Sequence, residues 1–231
     1  QSELEGLGLS IYEPLEVLLQ ELHFLLTNQA AEFLGVQETK FLLEHIEGQY
    51  EELVREVQRQ LPIYKITEIL QRLVSEQVPV RNLRVILETI IEWSQKEIST
   101  VEMTEYVRVA LKRYISHKYS NSQNMLMAYL LSQNTEETIR ASVRQTSSGS
   151  YLAMDPQLSE SLLRECSVLF GDRKRDEPPS VILTAMDIRR YVKKLLEPQF
   201  PALAVMSFQE LHECVNIQPL AQIDLEEQLQ E

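Results

Sequence analysis

The sequence predicts a mixed α and α/β fold, an all-helical subdomain followed by a small α/β subdomain, on three observations. The first half is dense in Leu, Glu, Gln and Arg, and the whole chain holds only six glycines, a composition that favours helix. Apolar residues in that half recur every three or four positions. From about residue 122 this period gives way to short apolar runs alternating with helical stretches, the pattern of strands joined by crossover helices.

A short extended piece leads to Pro14, which opens a long core helix carrying Leu15, Leu18, Leu19, Leu22, Leu25 and Leu26, with Gly35 as its stop. "TKFLLEHIEG" is a second helix ending at Gly48, and "YEELVREVQRQ" a third, halted before Pro62. "KITEILQRLVSEQ" puts Ile66, Ile69, Leu70, Leu73 and Val74 on one stripe. A helix is predicted from Pro79 at its first position, with Leu83, Ile86, Leu87 and Ile90 inward. Ser99 and Glu102 form a capping box for a helix that buries Met103, Val107, Ala110, Leu111 and Tyr114 and ends in "KRYISHKY". "MLMAYLLS" then reads as a buried strand, "TIRASVR" as a strand with one wet face and "QTSSGS" as a turn. Asp155 and Pro156 cap a helix running through Leu162, Leu163, Cys166 and Leu169 to Gly171, followed by the polar loop "DRKRDEPPS". "SVILTA" is a strand and "MDIRRYVKKLLE" a helix with Ile188, Tyr191, Val192 and Leu195 inward. "ALAVMSF" and "VNIQPL" are two more strands, and "IDLEEQLQE" an acidic tail.

A formal net charge of −13 argues against nucleic acid as a partner, because phosphate recognition needs a basic surface. The charge is uneven: residues 1–60 carry a net −9, residues 61–121 a net +2 and residues 122–231 a net −6. An acidic front and a mildly basic middle suit a head-to-tail oligomer, though a pair of solvated faces has the same signature. The first residue is Gln1 and not Met, and no stretch approaches the apolar length of a membrane span, so a fragment or processed product is expected; "QSELEGLGLS" lacks the features of a secretory signal, and the cytosol is the expected compartment. Cys166 and Cys214 are too few for a disulfide framework and are read as reduced thiols.

A catalytic inventory yields nothing. The glycines never gather in a phosphate-cradling spacing. His23, His45, His117 and His212 stand far apart, "LHECV" points neighbouring side chains to opposite faces, and no metal ligand set results. "SSGSYL" lacks the two glycines of a nucleophile elbow. In "DRKRDE" acidic neighbours cancel the basic run, while Trp93, Tyr106 and Tyr114 read as packing. No catalytic residue, cofactor site or metal site is expected, and no enzyme activity.

Arg81 and Arg84 ask for an explanation. They stand at the start of a helix, where the macrodipole disfavours cations, and lie off its apolar stripe. Two partners are open: Glu88, one turn beyond Arg84, or acidic residues on another copy, of which Glu44, Glu47, Glu51 and Glu52 are candidates.

Taken in order, "LGVQETKFLLEHIE", "SEQVPVRNLRVILETIIEW", "TEYVRVALKRYISHKY" and "VMSFQEL" followed by "VNIQPL" resemble the C-terminal cytoplasmic domain of the type III secretion export-gate family. The resemblance covers residues 9–220, and "RYISHKY" with "VNIQPL" is more similar to the injectisome branch than to the flagellar one. It implies a full-length protein of the bacterial inner membrane, with a transmembrane region absent from these residues and a four-part domain facing the cytoplasm. It further implies that residues 1–37 close the first subdomain, residues 38–121 form the helical ring-building one and residues 122–220 the α/β one, which leaves residues 221–231 as the acidic tail. The function implied is non-enzymatic. A homo-oligomeric ring, nonameric in the family, docks chaperone–substrate complexes, the gatekeeper protein and the ATPase stalk, and passes proteins to the export pore. The competing readings are a helical adaptor that forms no ring and a hydrolase for which no residue speaks.

Overall fold

A computed structural model describes residues 13–96, 98–146, 149–170 and 180–225. The extended piece before Pro14, the tip of "QTSSGS", Gly171 with the loop "DRKRDEPPS" up to Pro179, and residues 226–231 of the tail lie outside them. The chain divides into two compact units between Tyr106 and Val107.

In the first unit, α1 (Pro14–Asn28) begins where Pro14 supplies a helical φ and the Glu16 carboxylate accepts the Glu13 N–H at 3.0 Å. It is not the expected core helix. Leu15, Leu18 and Leu22 are 63%, 64% and 50% exposed, because the buried side chains of this unit come from the following helices and pack without it. Nor does it run to Gly35. After a 3₁₀ turn (Ala30–Phe33), Gly35 opens the next helix, its N–H donated to Glu38 Oε2 at 2.9 Å and its carbonyl accepting from Thr39 N at 3.0 Å.

The core of this unit is built by α2 (Val36–Glu47), α3 (Glu51–Gln60), α4 (Ile63–Ser75) and α5 (Leu83–Ser94). Leu43, Val54, Val57, Ile66, Ile69, Leu70, Leu73, Ile86, Leu87 and Ile90 are all fully buried, following the stripes of the sequence. The pairs in contact are α2 with α3, α2 with α4, and α3 with α5. Thr67 Oγ1 donates to Thr39 Oγ1 at 2.9 Å, so the α2–α4 crossing also carries a buried polar contact. The Ser99–Glu102 capping box of α6 (Thr100–Ala110) forms as expected, with Ser99 N–H to Glu102 Oε2 at 3.0 Å and Glu102 N–H to Ser99 Oγ at 3.2 Å. That helix does not continue unbroken. Leu111 leaves helical geometry and α7 (Lys112–Tyr119) starts anew, which turns Ala110 and Tyr114 outward and buries Ile115 and Ser116 instead.

The second unit is organised by a four-stranded sheet of order β5-β4-β1-β6, all parallel: β1 (Met125–Leu131), β4 (Ser180–Thr184), β5 (Ala204–Ser207) and β6 (Asn216–Ile223). Every residue of β4 is buried, as a central parallel strand covered on both faces requires. Edge strand β6 carries Pro219 and an irregularity opposite Ala128 and Tyr129, both of which discourage further pairing. The helices are α8 (Gln133–Ala141), α9 (Pro156–Phe170) and α10 (Met186–Leu196). Tyr129 meets Phe170 edge-on at 4.7 Å within a core that also holds Cys166, Ile182, Val192 and Leu196.

Two expectations fail here. "TIRASVR" is not a strand: Ser132 caps α8 by accepting the Thr135 N–H at 3.1 Å, and Thr135 and Ile139, one turn apart, are its buried positions. Only Val143–Thr146 is extended, as β2, paired antiparallel with β3 (Gly149–Leu152). The tail does not begin at residue 221 as a free end. Ile223 and Leu225 are buried, and Leu225 N–H donates to Thr135 Oγ1 at 2.9 Å.

Candidate functional site

The candidate charges sit on the first unit, and a helix terminus explains their placement. Past the end of α4, Gln77 takes a left-handed φ of 57°. Its N–H bonds the Val74 carbonyl at 2.8 Å and the Val78 N–H bonds the Leu73 carbonyl at 2.8 Å, the two bonds of a Schellman motif. Buried Val78 and Leu73 supply the apolar contact that accompanies it. The chain then runs without helical structure to Asn82, so α5 starts at Leu83 and not at Pro79. Arg81 therefore precedes the helix, and Arg84 lies in its first turn.

The two arginines have different surroundings. Arg84 Nε donates to Glu88 Oε1 at 2.8 Å, and its guanidinium lies over the Tyr50 ring at 5.2 Å. The Glu88 hydrogen bond first, and Tyr50 second, hold the Arg84 pKa above its ordinary value. Arg81 is exposed and makes no ion pair among the described residues.

The acidic candidates divide in the same way. Glu51 and Glu52, in the first turn of α3 where the dipole favours them, both pair with Arg55, Glu52 at 3.6 Å. Glu44 pairs with Lys40 at 3.8 Å across one turn of α2. Glu47, at the end of α2, has no ion pair among the described residues. Because Tyr50 heads α3 and underlies Arg84, Arg84 adjoins the start of the helix that carries Glu51 and Glu52. Phe41, which sequence reasoning passed over, is 68% exposed and precedes Glu44 and Glu47 at three-residue intervals along α2.

In the second unit, a buried ion cluster escaped the sequence reading. Arg108 donates in bidentate fashion to Glu210, Nε to Oε1 at 2.8 Å and Nη2 to Oε2 at 2.9 Å, with the two side chains 3% and 0% exposed. Arg189 Nε lies 3.6 Å from the same carboxylate, and Arg189 Nη1 donates to the Val205 carbonyl at 3.2 Å. Ser116 Oγ donates to the Glu210 carbonyl at 2.9 Å and accepts the His212 N–H at 2.9 Å. The 3₁₀ turn Phe208–Glu210 is thereby tied to α6, α7 and α10. A weak signal was present, since Arg108 follows Val107 on the buried stripe of its helix and Arg189 follows Ile188.

Cys166 is buried in the core, which pushes its thiol up to about 12, whereas Cys214 is exposed. Among the described residues no group of three His, Cys, Asp or Glu is placed to hold a metal ion, and no helix is long and apolar enough to cross a membrane.

Comparison with known proteins gives these surfaces a context. A family model described as the FHIPEP family matches residues 1–216. Low calcium response locus protein D of Yersinia pestis is 49% identical over 97% of this chain, which spans 32% of that protein's length. Among solved structures, nonameric SctV-C of EPEC is 45% identical with a TM-score of 0.81, covering 90% of this chain and 63% of that one. The Chlamydia pneumoniae CdsV and CdsO complex gives 43% identity and a TM-score of 0.87, covering 96% of this chain and 66% of its counterpart.

Proposed function

Because the chain belongs to the FHIPEP family, the type III secretion export-gate proteins, with relatives of the injectisome branch, we propose that it is the ring-forming, cytoplasm-facing portion of an inner-membrane export gate. Nine copies close into a ring that docks chaperone–substrate complexes, the gatekeeper protein and the ATPase stalk, and that hands proteins to the export pore. The role is positional and not catalytic. The observation that carries this reading is the 45% identity to a nonameric cytoplasmic domain over 90% of the chain. A relative in complex with CdsO supports a protein partner on this domain. The subdomain scheme of residues 1–37, 38–121 and 122–220 belongs to the same proposal.

Ring closure does not demand a strong subunit contact. The last copy to enter makes two contacts while losing translational freedom once, so weakly associating copies still assemble where a membrane anchor concentrates them. The candidate charges Glu44, Glu47, Glu51, Glu52, Arg81 and Arg84 are proposed as part of that contact. Charge reversal at Arg81 and Arg84 together is expected to abolish rings of the full-length protein in detergent, observed by negative-stain microscopy. Rings that persist in this variant place the contact elsewhere. A wild-type protein that stays monomeric in its membrane fails the ring reading and leaves the adaptor. Co-elution with gatekeeper and chaperone–substrate complexes tests the docking role.

A further inference from the structure

A ring contact is heterologous: each copy offers one patch to the neighbour on its left and a different patch to the neighbour on its right. The acidic residues of α2, Glu44 and Glu47, supply one of these two patches in that reading. The other has to be sought elsewhere, and it has to complement an acidic ridge that carries an exposed aromatic ring.

We propose that the outward face of α7, with Arg113, Tyr114 and His117, is the surface that receives the Phe41–Glu44–Glu47 ridge of a second copy of this chain. This inference rests on the ring reading above.

Four observations select α7. First, Arg113 is exposed, and neither it nor half-buried Glu47 on the ridge makes an ion pair among the described residues. Both charges are available without breaking an existing pair. Second, the break at Leu111 rotates Tyr114 to 47% exposure, so an aromatic ring stands beside Arg113 on this face as Phe41 stands beside Glu44 on the other. Exposed aromatics beside charge are what interface centres are built from. Third, Lys112, Arg113 and Lys118 make α7 a basic helix in a chain of net charge −13, and among the described residues the only ion pair of Lys112 is with Glu213, at 4.0 Å. Charge complementarity therefore points to the acidic front of another copy. Fourth, α7 and the ridge share no residue and belong to different compact units, and a head-to-tail contact uses two different patches of one chain.

Buried Ser116 fixes this presentation. Its hydroxyl is held between the Glu210 carbonyl and the His212 N–H, which sets the rotation of α7 and so the outward direction of residues one turn either side.

The test uses the full-length protein in membranes, with exposed Cys214 replaced by Ser and Cys166 left in the core. Glu47→Cys combined with Arg113→Cys is expected to give a ladder of disulfide-linked multimers under mild oxidation, which neither single cysteine gives. Glu47→Arg and Arg113→Glu, each introduced alone, are expected to reduce native multimers about tenfold through like-charge opposition, and the double reversal to restore them. A cross-link that shifts the monomer without a ladder assigns the ridge to its own polypeptide and overturns the proposal. So does a double reversal no better than the singles, or an Arg113→Glu variant that keeps its multimers and loses only an acidic partner. If these failures occur while rings still form, the α7 contact alone falls. If the wild type forms no multimer at all, the ring reading falls with it.

Discussion

Removing Glu210 isolates the buried ion cluster better than removing either arginine. Glu210→Ala removes the carboxylate that Arg108 and Arg189 share, at side chains 3% and 0% exposed. Breaking a buried pair in this way costs about 3–5 kcal/mol, since the remaining charge cannot return to water. At about 2.1 cal/mol/K per residue, a unit spanning residues 107–231 has an unfolding entropy of ~0.26 kcal/mol/K, so ~4 kcal/mol corresponds to a fall of about 15 °C in its midpoint. The assay is hydrogen exchange by mass spectrometry on peptides covering 204–212, with fluorescence of Trp93, the chain's only tryptophan, reporting the first unit in the same sample. The triple variant with Met at 108 and 189 and Leu at 210 is the control, because a buried pair replaced whole by apolar groups of similar volume is often neutral. Two results refute the reasoning: a Glu210→Ala cost below about 1 kcal/mol, or a triple variant as unstable as the single.

Other expectations follow from the same geometry. Ser132→Ala removes the cap of α8 and the hydroxyl's 2.5 Å bond to Asp224, so urea unfolding is expected to show a loss of about 1 kcal/mol, and no change would deny the cap any weight. Native protein treated with iodoacetamide at neutral pH is expected to be labelled at Cys214 alone, with Cys166 reacting only in denaturant, because burial holds its thiol near 12; equal labelling of both would contradict the packed core. The Arg140 hydrogen bond lowers the Asp187 pKa, so this pair's stabilisation is complete above the unfolded carboxylate value of about 3.9 and fades as pH falls through the lower folded value. Arg140→Ala is therefore expected to be less stable than wild type at pH 6 and to converge with it near pH 2; a constant difference across that range would exclude the pair as its cause.

The sequence made the fold legible wherever burial followed a single period. The stripe of α4 and the unbroken apolar run of β4 are determined by local patterning, and tertiary contacts agree with it. Misreadings arose where two local rules competed. Ile139, Ala141 and Val143 alternate like a strand, yet Thr135 and Ile139 are also one helical turn apart, and the Ser132 hydroxyl decided between them by satisfying the Thr135 N–H. Pro79 fits a first helical position equally well, but the Schellman ending of α4 consumes the residues before it. Nothing announced that ending, because Gln77 and not Gly holds the left-handed position. The apolar stripe of α1 was read correctly as apolar and wrongly as core, since periodicity tells which face wants cover but not whether these residues include the cover.

The site was harder to read for a different reason. A charge is available to a neighbour only if its own chain has not already engaged it, and that depends on distances that residue types do not encode. Arg81 and Arg84 look equivalent in sequence, but the fold places Arg84 against Glu88 and Tyr50 and leaves Arg81 in open solvent. Glu44, Glu51 and Glu52 are engaged by cations on their own helices, and Glu47 makes no ion pair among the described residues. An exposed intrachain pair is weak, since solvent screening and side-chain entropy offset most of the attraction. A neighbouring copy can therefore recruit Glu44 at small cost, and it meets Glu47 and Arg81 at no such cost. It follows that the six candidates rank by availability, and that single reversals at Glu47 and Arg81 should disturb assembly more than reversals at Glu51 or Glu52. The reverse order would show that the contact is made by residues the fold had already paired.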